Sequence, residues 1–329
     1  MKAAIRKKYG SPSVITVEEV ARPVPANAEV LIKVKATTVN RTDCANLTAK
    51  PFIMRFVLGF LKPQKPILGT DFAGDIVEVG KGVMHFKRGD KVFGFFDTGL
   101  ESQAEYMVLK HDGNMLTIPD GVDYKNAAAS VEGGHYAYSF IHKVEIRSGQ
   151  KVFINGATGG IGSTLMQFVR QFDVHITATA NTPNIDLIKS LGADKVIDYT
   201  KDDFTKLPAT YDYIFDAVGK STFGKCKSLL TENGVYISSE LGPFAQNVFF
   251  AIRSAITGKK KVVFPVPFPI KQTLPFIQNQ LATKKLKPVI DRKYNINDIA
   301  KAYEYVMQGK KTGSVIVHIK SSYKKLKTF

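Results

Sequence analysis

The sequence predicts an α/β protein in two parts, and two observations indicate this fold class. The first is a change of texture near Pro119, from short strand-like segments to alternating strand-like and helix-like segments. The second is a glycine-rich turn, KVFINGATGGIG, which joins a short apolar run to a helical pattern. Together they favour a β-rich domain followed by a doubly wound parallel sheet, and 329 residues are enough for about two domains.

Strand-like segments fill the first part almost without interruption. Their β-branched residues, punctuated by Gly, Pro and Asp, are typical of an antiparallel, partly closed β domain. An apolar insert at 52–62 is the exception to this pattern. The predicted strands are 13–20, 29–40, 74–80, 90–95 and 104–109.

Strands and helices alternate in the second part, which is typical of parallel βαβ units. Two helical segments, 123–130 and 135–144, precede the alternation, and a strand, a helix and a last strand follow Leu281. The predicted strands of the alternation are 151–156, 175–180, 195–199, 211–219 and 234–240, and its predicted helices are the segment from Gly160, 182–192 and 222–230.

Composition narrows the classes of partner and compartment. The net charge is +17, but the lysines are scattered and no helix-turn-helix, zinc-finger or RNA-binding signature is present, so no nucleic-acid partner is expected. A basic surface would attract a phosphate-bearing cofactor or anionic lipid. Cys44 and Cys226 cannot form a disulfide framework, and no segment approaches the roughly 20 apolar residues of a membrane span. We therefore expect a cytoplasmic protein.

The turn from Asn155 to Gly162 has the setting of a dinucleotide-binding site, with a strand before it and a helix after it. Glycine at 159 would let the backbone approach a pyrophosphate, and glycine at 162 would let the helix pack close to the strand. The helix N-terminus offers unpaired N–H groups to phosphate. The alternative is a purely structural turn. The predicted cofactor contacts here are Thr158, Gly159, Gly160, Ile161 and Gly162.

The end of the second strand of the alternation bears on cofactor choice. An NAD site usually carries Asp or Glu there, which accepts hydrogen bonds from the ribose. Ala180, Asn181 and Thr182 supply no acid, and this favours NADPH over NADH. Asn181, Thr182 and Tyr199 would then hydrogen-bond the 2′-phosphate. The alternative is that Asn181 and Thr182 only cap the helix that follows.

Several ordered segments resemble one family over essentially the whole chain. VKATTVNRTD, PILGTDFAGDIVEVGKGVMHFKRGDKVFGF, NGATGGIG, LGADKVIDY and FDAVG are similar to landmarks of the medium-chain dehydrogenase/reductase superfamily, in its zinc-independent quinone oxidoreductase-like branch. The resemblance implies a GroES-like β-rich catalytic domain, 1–121 and 281–329, and a Rossmann NADP-binding domain with a doubly wound parallel sheet, 122–280. It also implies an active site between them and a homodimer.

The chain departs from the zinc-dependent relatives at their metal ligands. Asn40 stands where they have a catalytic cysteine, and Gly69-Thr70-Asp71 stands where they have a Gly-His-Glu motif. The four closely spaced cysteines of their structural zinc lobe have no counterpart here. Because a zinc site needs about three or four good ligands in one place, we expect no metal.

Without a Lewis acid, the expected chemistry is hydride delivery to an already electrophilic carbon, with the protein positioning and polarising the substrate. Asn40 is the first candidate for a polar group beside the nicotinamide and the substrate oxygen, and the alternative is a structural turn amide. His135 and Tyr136 lie in a stretch that lines the nicotinamide pocket of the family, and either could donate a proton. The alternative for His135 is a structural role. Ala45 replaces a tyrosine of some relatives, so water is a further candidate donor.

The resemblance assigns further cofactor contacts. Ala217, Val218 and Gly219 end the strand that should pass under the nicotinamide ribose, and Leu241 follows the next strand at the nicotinamide end. Lys311 lies near the position where some relatives place a basic residue on the 2′-phosphate, although ordinary surface charge is the alternative.

The predicted function is a zinc-independent oxidoreductase that transfers a hydride from NADPH to a quinone or to an activated alkene, an enone or enal. The expected partner is a small lipophilic carbonyl compound or quinone. Alternatives are an enoyl-thioester reductase, a low-activity NADPH-binding sensor or structural protein, and a basic nucleic-acid binder that holds NADPH. Two apolar segments, 52–61 and 244–257, are both followed by lysines. They could form a substrate channel, a dimer contact or a weak contact with a membrane surface.

Overall fold

The computed structural model describes residues 1–240, 242, 246–257, 261–264 and 266–319. The chain divides into two compact units. Unit 1 contains Met1–Val131, Leu274–Ala282 and the chain from Ile290 onward, and unit 2 contains Glu132–Thr273 and Thr283–Val289. The domain boundaries expected from the resemblance, after 121 and after 280, stay a prediction.

The strands and helices follow the two secondary-structure patterns of the sequence. In chain order the strands are β1 (Lys2–Arg6), β2 (Ile15–Glu19), β3 (Glu29–Val39), β4 (Asp71–Val79), β5 (Lys91–Phe95), β6 (Tyr106–Lys110), β7 (Met115–Thr117), β8 (Lys151–Asn155), β9 (His175–Ala180), β10 (Lys195–Asp198), β11 (Tyr211–Asp216), β12 (Leu230–Ser238), β13 (Lys261–Val263), β14 (Ile290–Asn295) and β15 (Ser314–His318). The α-helices are α1 (Arg41–Thr48), α2 (Arg55–Leu58), α3 (Tyr124–Ile141), α4 (Gly160–Val169), α5 (Ile185–Ser190), α6 (Phe223–Cys226), α7 (Gln246–Thr257), α8 (Ile270–Ala282) and α9 (Ile299–Met307).

Unit 1 is built on a mainly antiparallel sheet with the strand order β14-β15-β3-β4-β5-β7, and β6 also pairs with β3. The eleven-residue strand β3 lies at its centre and is largely buried. Helix α9 packs on this core because Ile299, Ala302, Tyr303 and Val306 recur at helical spacing and are all buried. The β-rich prediction for the first part is confirmed.

Unit 2 contains a parallel sheet with the strand order β10-β9-β8-β11-β12-β13. The chain runs outward from β8 in one direction and then outward from β11 in the other, so the strand order reverses between these two strands. This is the doubly wound order of dinucleotide-binding domains, whose ligands bind at the carboxyl ends of the strands at that reversal. The parallel-sheet prediction is confirmed.

The two helical segments predicted before β8 form one continuous helix, α3. Its Gly133 has a packing role, because an added Cβ would lie 2.7 Å from the Gly160 carbonyl oxygen and 2.9 Å from Thr164 Oγ1. Glycine at this position therefore lets α3 approach the first turn of α4. Among the described residues, no helix has both the length and the apolar character to cross a membrane.

Candidate active site

A hydrogen-bond network joins the strand ends at the reversal point of the parallel sheet. The Gly156 N–H donates to Thr179 Oγ1 at 3.0 Å, and the Thr179 hydroxyl donates to Asn155 Oδ1 at 2.8 Å. Asn155 Nδ2 in turn donates to Asp216 Oδ1 at 3.0 Å. Because a carboxylate only accepts and a backbone N–H only donates, both ends of the network fix the orientation of the Asn155 amide. The network therefore ties β8, β9 and β11 together at their carboxyl ends.

Asp216 also holds the loop that follows β11. This fully buried carboxylate accepts hydrogen bonds from Gly219 N at 3.0 Å, Ser221 N at 3.1 Å and the Tyr236 hydroxyl at 3.1 Å. Gly219 has a φ of +64°, which favours glycine, and its position leaves no room for a side chain beside Glu240. The predicted cofactor contacts Ala217, Val218 and Gly219 thus lie in a loop that is fixed from within.

Two glycines of the glycine turn, Gly159 and Gly162, differ in the space around them. An added Cβ at Gly162 would lie 2.1 Å from the Gly156 carbonyl oxygen, so α4 packs as close to the turn as the backbone allows. At Gly159, the N-cap of α4, the nearest atom of the described residues to an added Cβ, chain neighbours aside, is the Gly156 carbonyl oxygen at 3.7 Å. Protein packing therefore requires glycine at 162 but not at 159. Glycine at 159 suits a ligand that approaches the backbone, and the phosphates of a dinucleotide fit this requirement.

Thr158, Gly160 and Ile161 lie beside Gly159 and are only half-buried, so the first turn of α4 is open to a ligand. The helix has ten residues, and the partial positive charge of its N-terminus favours anions there. These residues could hold a pyrophosphate through backbone N–H groups.

A carboxylate that is not among the predicted site residues lies beside the end of β9. Asp198 ends β10, and in the parallel register it lies beside Ala180. The Thr182 hydroxyl donates to Asp198 Oδ2 at 2.5 Å, and the Thr200 hydroxyl donates to Asp198 Oδ1 at 2.6 Å. These hydrogen bonds, and then Lys201 with its Nζ 3.8 Å from Oδ2, lower the pKa of Asp198. The carboxylate is therefore ionised at neutral pH.

Asn181 and Tyr199 flank this acid. The Asn181 side chain accepts a hydrogen bond from Asn184 Nδ2 at 2.5 Å. Asn181 is the N-cap of the short 3-10 helix Thr182–Asn184, but its side chain makes no capping hydrogen bond to the backbone there. Tyr199 is 51% exposed, and its backbone N–H donates to the Ala180 carbonyl oxygen at 3.0 Å. The structure thus brings Asn181, Thr182 and Tyr199 together at one edge of the sheet. The assignment of a 2′-phosphate to them stays a prediction.

His135 is buried inside unit 2. Its Nδ1 lies 2.8 Å from the Thr273 hydroxyl, and its ring packs against that of Tyr136 with a centroid distance of 5.2 Å. Burial lowers the pKa of His135 to about 4, so the imidazole is neutral at pH 7. This favours the structural alternative for His135, while Tyr136 is half-buried. The predicted contact Leu241 lies outside the described residues.

In unit 1, Asn40 is the N-cap of α1 and is buried within a second hydrogen-bond network. Its Nδ2 donates to Thr38 Oγ1 at 2.7 Å, and the Thr38 hydroxyl donates to the buried carboxylate of Asp71. Lys311 Nζ donates to Asn40 Oδ1 at 3.4 Å and to the Gly313 carbonyl oxygen at 2.5 Å. The ammonium of Lys311 only donates and Asp71 only accepts, so the network determines which end of the Asn40 amide is the donor.

The fold and these two groups of residues can be compared with known proteins. Two family models match the chain, the alcohol dehydrogenase GroES-like domain over residues 26–143 and the zinc-binding dehydrogenase model over residues 191–317. The chloroplastic quinone-oxidoreductase homolog of Spinacia oleracea is 32% identical over 312 residues, which are 91% of this chain and 92% of that protein. The chain belongs to the medium-chain dehydrogenase/reductase superfamily. Within it, the chain falls in the zinc-independent quinone oxidoreductase-like branch.

Other members of the superfamily carry names from two related chemistries. The 2-methylene-furan-3-one reductase of Solanum lycopersicum is 30% identical over 97% of this chain and 79% of that protein. Among solved structures, the quinone oxidoreductase from Coxiella burnetii superposes with a TM-score of 0.86 at 24% identity, over 97% of this chain and 99% of that one. That similarity confirms the GroES-like and Rossmann-like architecture.

The positions that differ from the zinc-dependent members of the superfamily meet at one carboxylate. Asp43 Oδ2 accepts the Asn40 backbone N–H at 2.9 Å, and Asp43 Oδ1 accepts the Thr70 hydroxyl at 3.1 Å. All three residues are buried. Among the described residues, no group of three or more His, Cys, Asp and Glu side chains is arranged to hold a metal ion. At the position of the family's ligands, this chain therefore presents an amide and a hydroxyl that are engaged with protein.

Proposed function

We propose that this protein is an NADPH-dependent oxidoreductase that transfers a hydride to a quinone, or to the β-carbon of an enone or enal, without zinc. The observation that carries the proposal is the glycine turn at the reversal point of the sheet. Gly159 there has room for a side chain within the protein, yet the residue is glycine at the N-terminus of a helix. A phosphate-bearing cofactor explains this choice.

The acceptor class is supported by relatives. They include quinone-oxidoreductase homologs and an NADPH-dependent alkenal/one oxidoreductase of Arabidopsis thaliana that is 29% identical over 97% of this chain and 79% of that protein. The last name also supports NADPH as the cofactor. Asn40 and Thr70 support a reaction without zinc, because amide and hydroxyl groups are poorer zinc ligands than the side chains of Cys, His, Asp and Glu.

The cofactor would be held by three groups of residues. The turn Thr158, Gly159, Gly160, Ile161 and Gly162 would bind the pyrophosphate. Asn181, Thr182 and Tyr199 would face the 2′-phosphate, and Ala217, Val218, Gly219 and Leu241 would contact the nicotinamide half. The chemistry that the bound cofactor supplies is hydride transfer from the nicotinamide.

Asn40 would bind the acceptor carbonyl oxygen. One N–H of Asn40 Nδ2 is used on Thr38, and the polarity of the network keeps this nitrogen the donor end of the amide. The second N–H on Nδ2 can therefore polarise a carbonyl oxygen, which accumulates charge when a hydride adds to the conjugated carbon. Lys311, on the other end of the amide, acts as a positioning residue in this proposal.

The proton that completes the reduction would come from Tyr136 or from water. His135 is a weaker candidate, because its imidazole is neutral at pH 7 and its Nδ1 is engaged with Thr273. The proposal further includes a cytoplasmic homodimer with domains 1–121 plus 281–329 and 122–280, as the resemblance implies. Sedimentation equilibrium of the purified chain tests the dimer.

An enoyl-thioester reductase is the second candidate. The observation in its favour is a relative named trans-enoyl reductase pgmF, from Aspergillus terreus, which is 30% identical over 90% of this chain and 87% of that protein. The two candidates differ in the acceptor and not in the cofactor.

One experiment tests both candidates. The purified protein is titrated with NADPH and with NADH by nucleotide fluorescence, and oxidation is then followed with a small quinone, a simple enal and a crotonyl thioester. Tighter binding of NADPH and turnover of the quinone or enal support the proposal. Turnover of the thioester alone selects the second candidate. Binding of NADPH without turnover of any acceptor indicates a sensor, and binding of neither nucleotide refutes the cofactor assignment.

A further inference from the structure

Six large apolar side chains on one short segment of unit 1 face solvent. They form two stripes with a four-residue spacing, and each side chain is between 53% and 85% exposed. Soluble proteins seldom expose adjacent large apolar groups without a binding role. We call these residues the phenylalanine patch: Phe52, Phe56 and Phe60 in one stripe, and Ile53, Val57 and Leu61 in the other.

The phenylalanine patch is an ordered surface. Its three aromatic rings contact each other with centroid distances of 5.6 to 6.2 Å. Leu58 anchors the segment in the core, and the Tyr9 hydroxyl donates to the Gly59 carbonyl oxygen at 2.7 Å. The Arg55 guanidinium lies over the Tyr9 ring at 5.1 Å. The backbone of the segment is therefore held in place while the apolar side chains point outward.

The charged side chains on the segment that carries the patch are all positive. Residues 44–70 contain four basic residues, Lys50, Arg55, Lys62 and Lys65, and no acidic residue. Burial raises the pKa of Glu101, and its electrostatic interaction with Lys65 lowers that pKa to a smaller extent. Apolar and aromatic side chains bordered by basic ones are the arrangement that lies in the interface of an anionic membrane.

We infer that the phenylalanine patch docks on the surface of an anionic lipid bilayer. Charge decides between a bilayer and a second copy of this chain, because two copies meeting at the patch would bring eight basic residues together, whereas anionic headgroups would pair with them. A net charge of +17 adds a general attraction to such a surface. If the proposed function holds, docking would place the enzyme beside quinones dissolved in the bilayer. The docking itself does not depend on that activity.

Vesicle sedimentation tests the docking. The full chain is mixed with vesicles of phosphatidylcholine alone, or of phosphatidylcholine with phosphatidylglycerol, at low and high salt. We expect binding to the anionic vesicles that falls about tenfold in high salt. The double variant Phe56→Ser/Phe60→Ser should lose about tenfold in partitioning or more. The matched control is Val24→Ser/Met84→Ser, which changes two apolar residues of unit 1 that are even more exposed than Phe56 and Phe60 but lie outside the patch.

Two double variants that each remove two lysines complete the test. Lys50→Gln/Lys62→Gln should weaken anionic binding several-fold, while Lys81→Gln/Lys87→Gln, which removes two exposed lysines elsewhere in unit 1, should change it less. Thermal melts confirm that each variant is folded, and turnover of a water-soluble enal should be unchanged in the patch variants.

Three results would overturn the inference. The first is sedimentation of the wild-type chain that is equal with and without anionic vesicles. The second is a patch variant that binds vesicles normally but shifts from dimer to monomer, which would assign the patch to a second copy. The third is loss of soluble-enal turnover together with retained vesicle binding, which would make the patch part of a substrate channel. Failure of turnover in the wild type would affect the proposed function alone.

Discussion

Lys311 Nζ lies 3.4 Å from Asn40 Oδ1, across 271 residues of chain. The same ammonium donates to the Gly313 carbonyl oxygen, so two acceptors hold it. Because an ammonium cannot accept a hydrogen bond, the oxygen of the Asn40 amide must face Lys311 and its nitrogen must face Thr38. Lys311 was predicted to contact a 2′-phosphate, with ordinary surface charge as the alternative, and its contact with Asn40 adds a role in orienting that amide.

Replacement of Lys311 should therefore affect turnover more than cofactor binding. In Lys311→Met we expect kcat with a saturating enal to fall about tenfold, since the Asn40 amide loses the partner that fixes its orientation. The Kd of NADPH should stay within about twofold of the wild-type value. Lys311→Arg should restore part of the rate because it keeps a donor.

Lys310→Met is the matched control, because this neighbouring lysine is exposed. It should leave kcat and the Kd of NADPH unchanged. A large rise in the Kd of NADPH, with that of NADH unaffected, in Lys311→Met would instead support the 2′-phosphate assignment and contradict the positioning role.

Substitutions at Gly159 and Gly162 should have different effects on cofactor binding and on folding stability. In Gly159→Ala the new methyl, apart from its chain neighbours, meets no atom of the described residues closer than 3.7 Å, so the free energy of unfolding should change by less than about 1 kcal/mol. NADPH affinity should nevertheless fall at least about tenfold, because the methyl occupies the approach of the pyrophosphate. Isothermal titration and urea unfolding measure the two quantities.

Gly162→Ala is the contrasting variant. Its methyl would lie 2.1 Å from the Gly156 carbonyl oxygen, so we expect a loss of about 3 kcal/mol in the free energy of unfolding. Unchanged NADPH affinity in a folded Gly159→Ala protein would remove the main support for the cofactor site.

The pKa of His135 predicts a pH dependence of stability. Burial lowers this pKa to about 4, below the unfolded value of 6.5, so the unfolded chain binds the proton first as pH falls. The stability is therefore complete above pH 6.5 and decreases between 6.5 and 4, by about 2 kcal/mol from pH 7 to pH 5. In His135→Gln the free energy of unfolding, measured in urea at both pH values, should depend less on pH by that amount.

His175→Gln is the control for this prediction, because the side chain of His175 is half-exposed. It should leave the pH dependence near that of the wild type. If His135→Gln and the wild type lose equal stability on acidification, the buried neutral state of His135 is refuted. A step in kcat near neutral pH that disappears in His135→Gln would restore His135 as a proton donor.

Most of the secondary structure of unit 2 could be predicted from the sequence, because the patterns that indicate it are local. A strand, a glycine turn and a helix lie next to each other in the chain, and their alternation predicted the parallel sheet. The continuity of α3 was missed because Gly133 and Gly134 resemble a helix break, whereas Gly133 serves close packing against Gly160. That role depends on a neighbouring helix and leaves no local signal.

The contacts of the candidate site that were missed are long-range. Asn40 was predicted as a site residue, but its partner Lys311 comes from the other end of the chain. An acid near the proposed cofactor site was expected at the end of β9, whereas Asp198 lies beside that strand end on β10 through the register of the parallel sheet. Register between strands is set by the packed fold, so a search along one strand could not find it.

Asp198 should limit the preference for NADPH. Its ionised carboxylate lies beside Thr182, where the 2′-phosphate is proposed to bind, and like charges in this setting repel. We expect Asp198→Asn to increase the ratio of NADPH to NADH affinity about fivefold, since Asn keeps an acceptor for Thr182 and loses the charge. Fluorescence titration with both nucleotides gives the ratio, and its increase should shrink at high salt.

Asp203→Asn is a closely matched control for this change. Asp203 accepts from the Thr205 hydroxyl at 2.6 Å and has Lys206 Nζ at 3.8 Å, which repeats the spacing and distances of Asp198 with Thr200 and Lys201. Among the described residues, no second threonine hydroxyl donates to Asp203 as Thr182 does to Asp198, so the Asp203→Asn variant should leave the ratio unchanged. A fall in the ratio for Asp198→Asn would mean that Asp198 supports the 2′-phosphate site by holding Thr182, and that repulsion is the smaller effect.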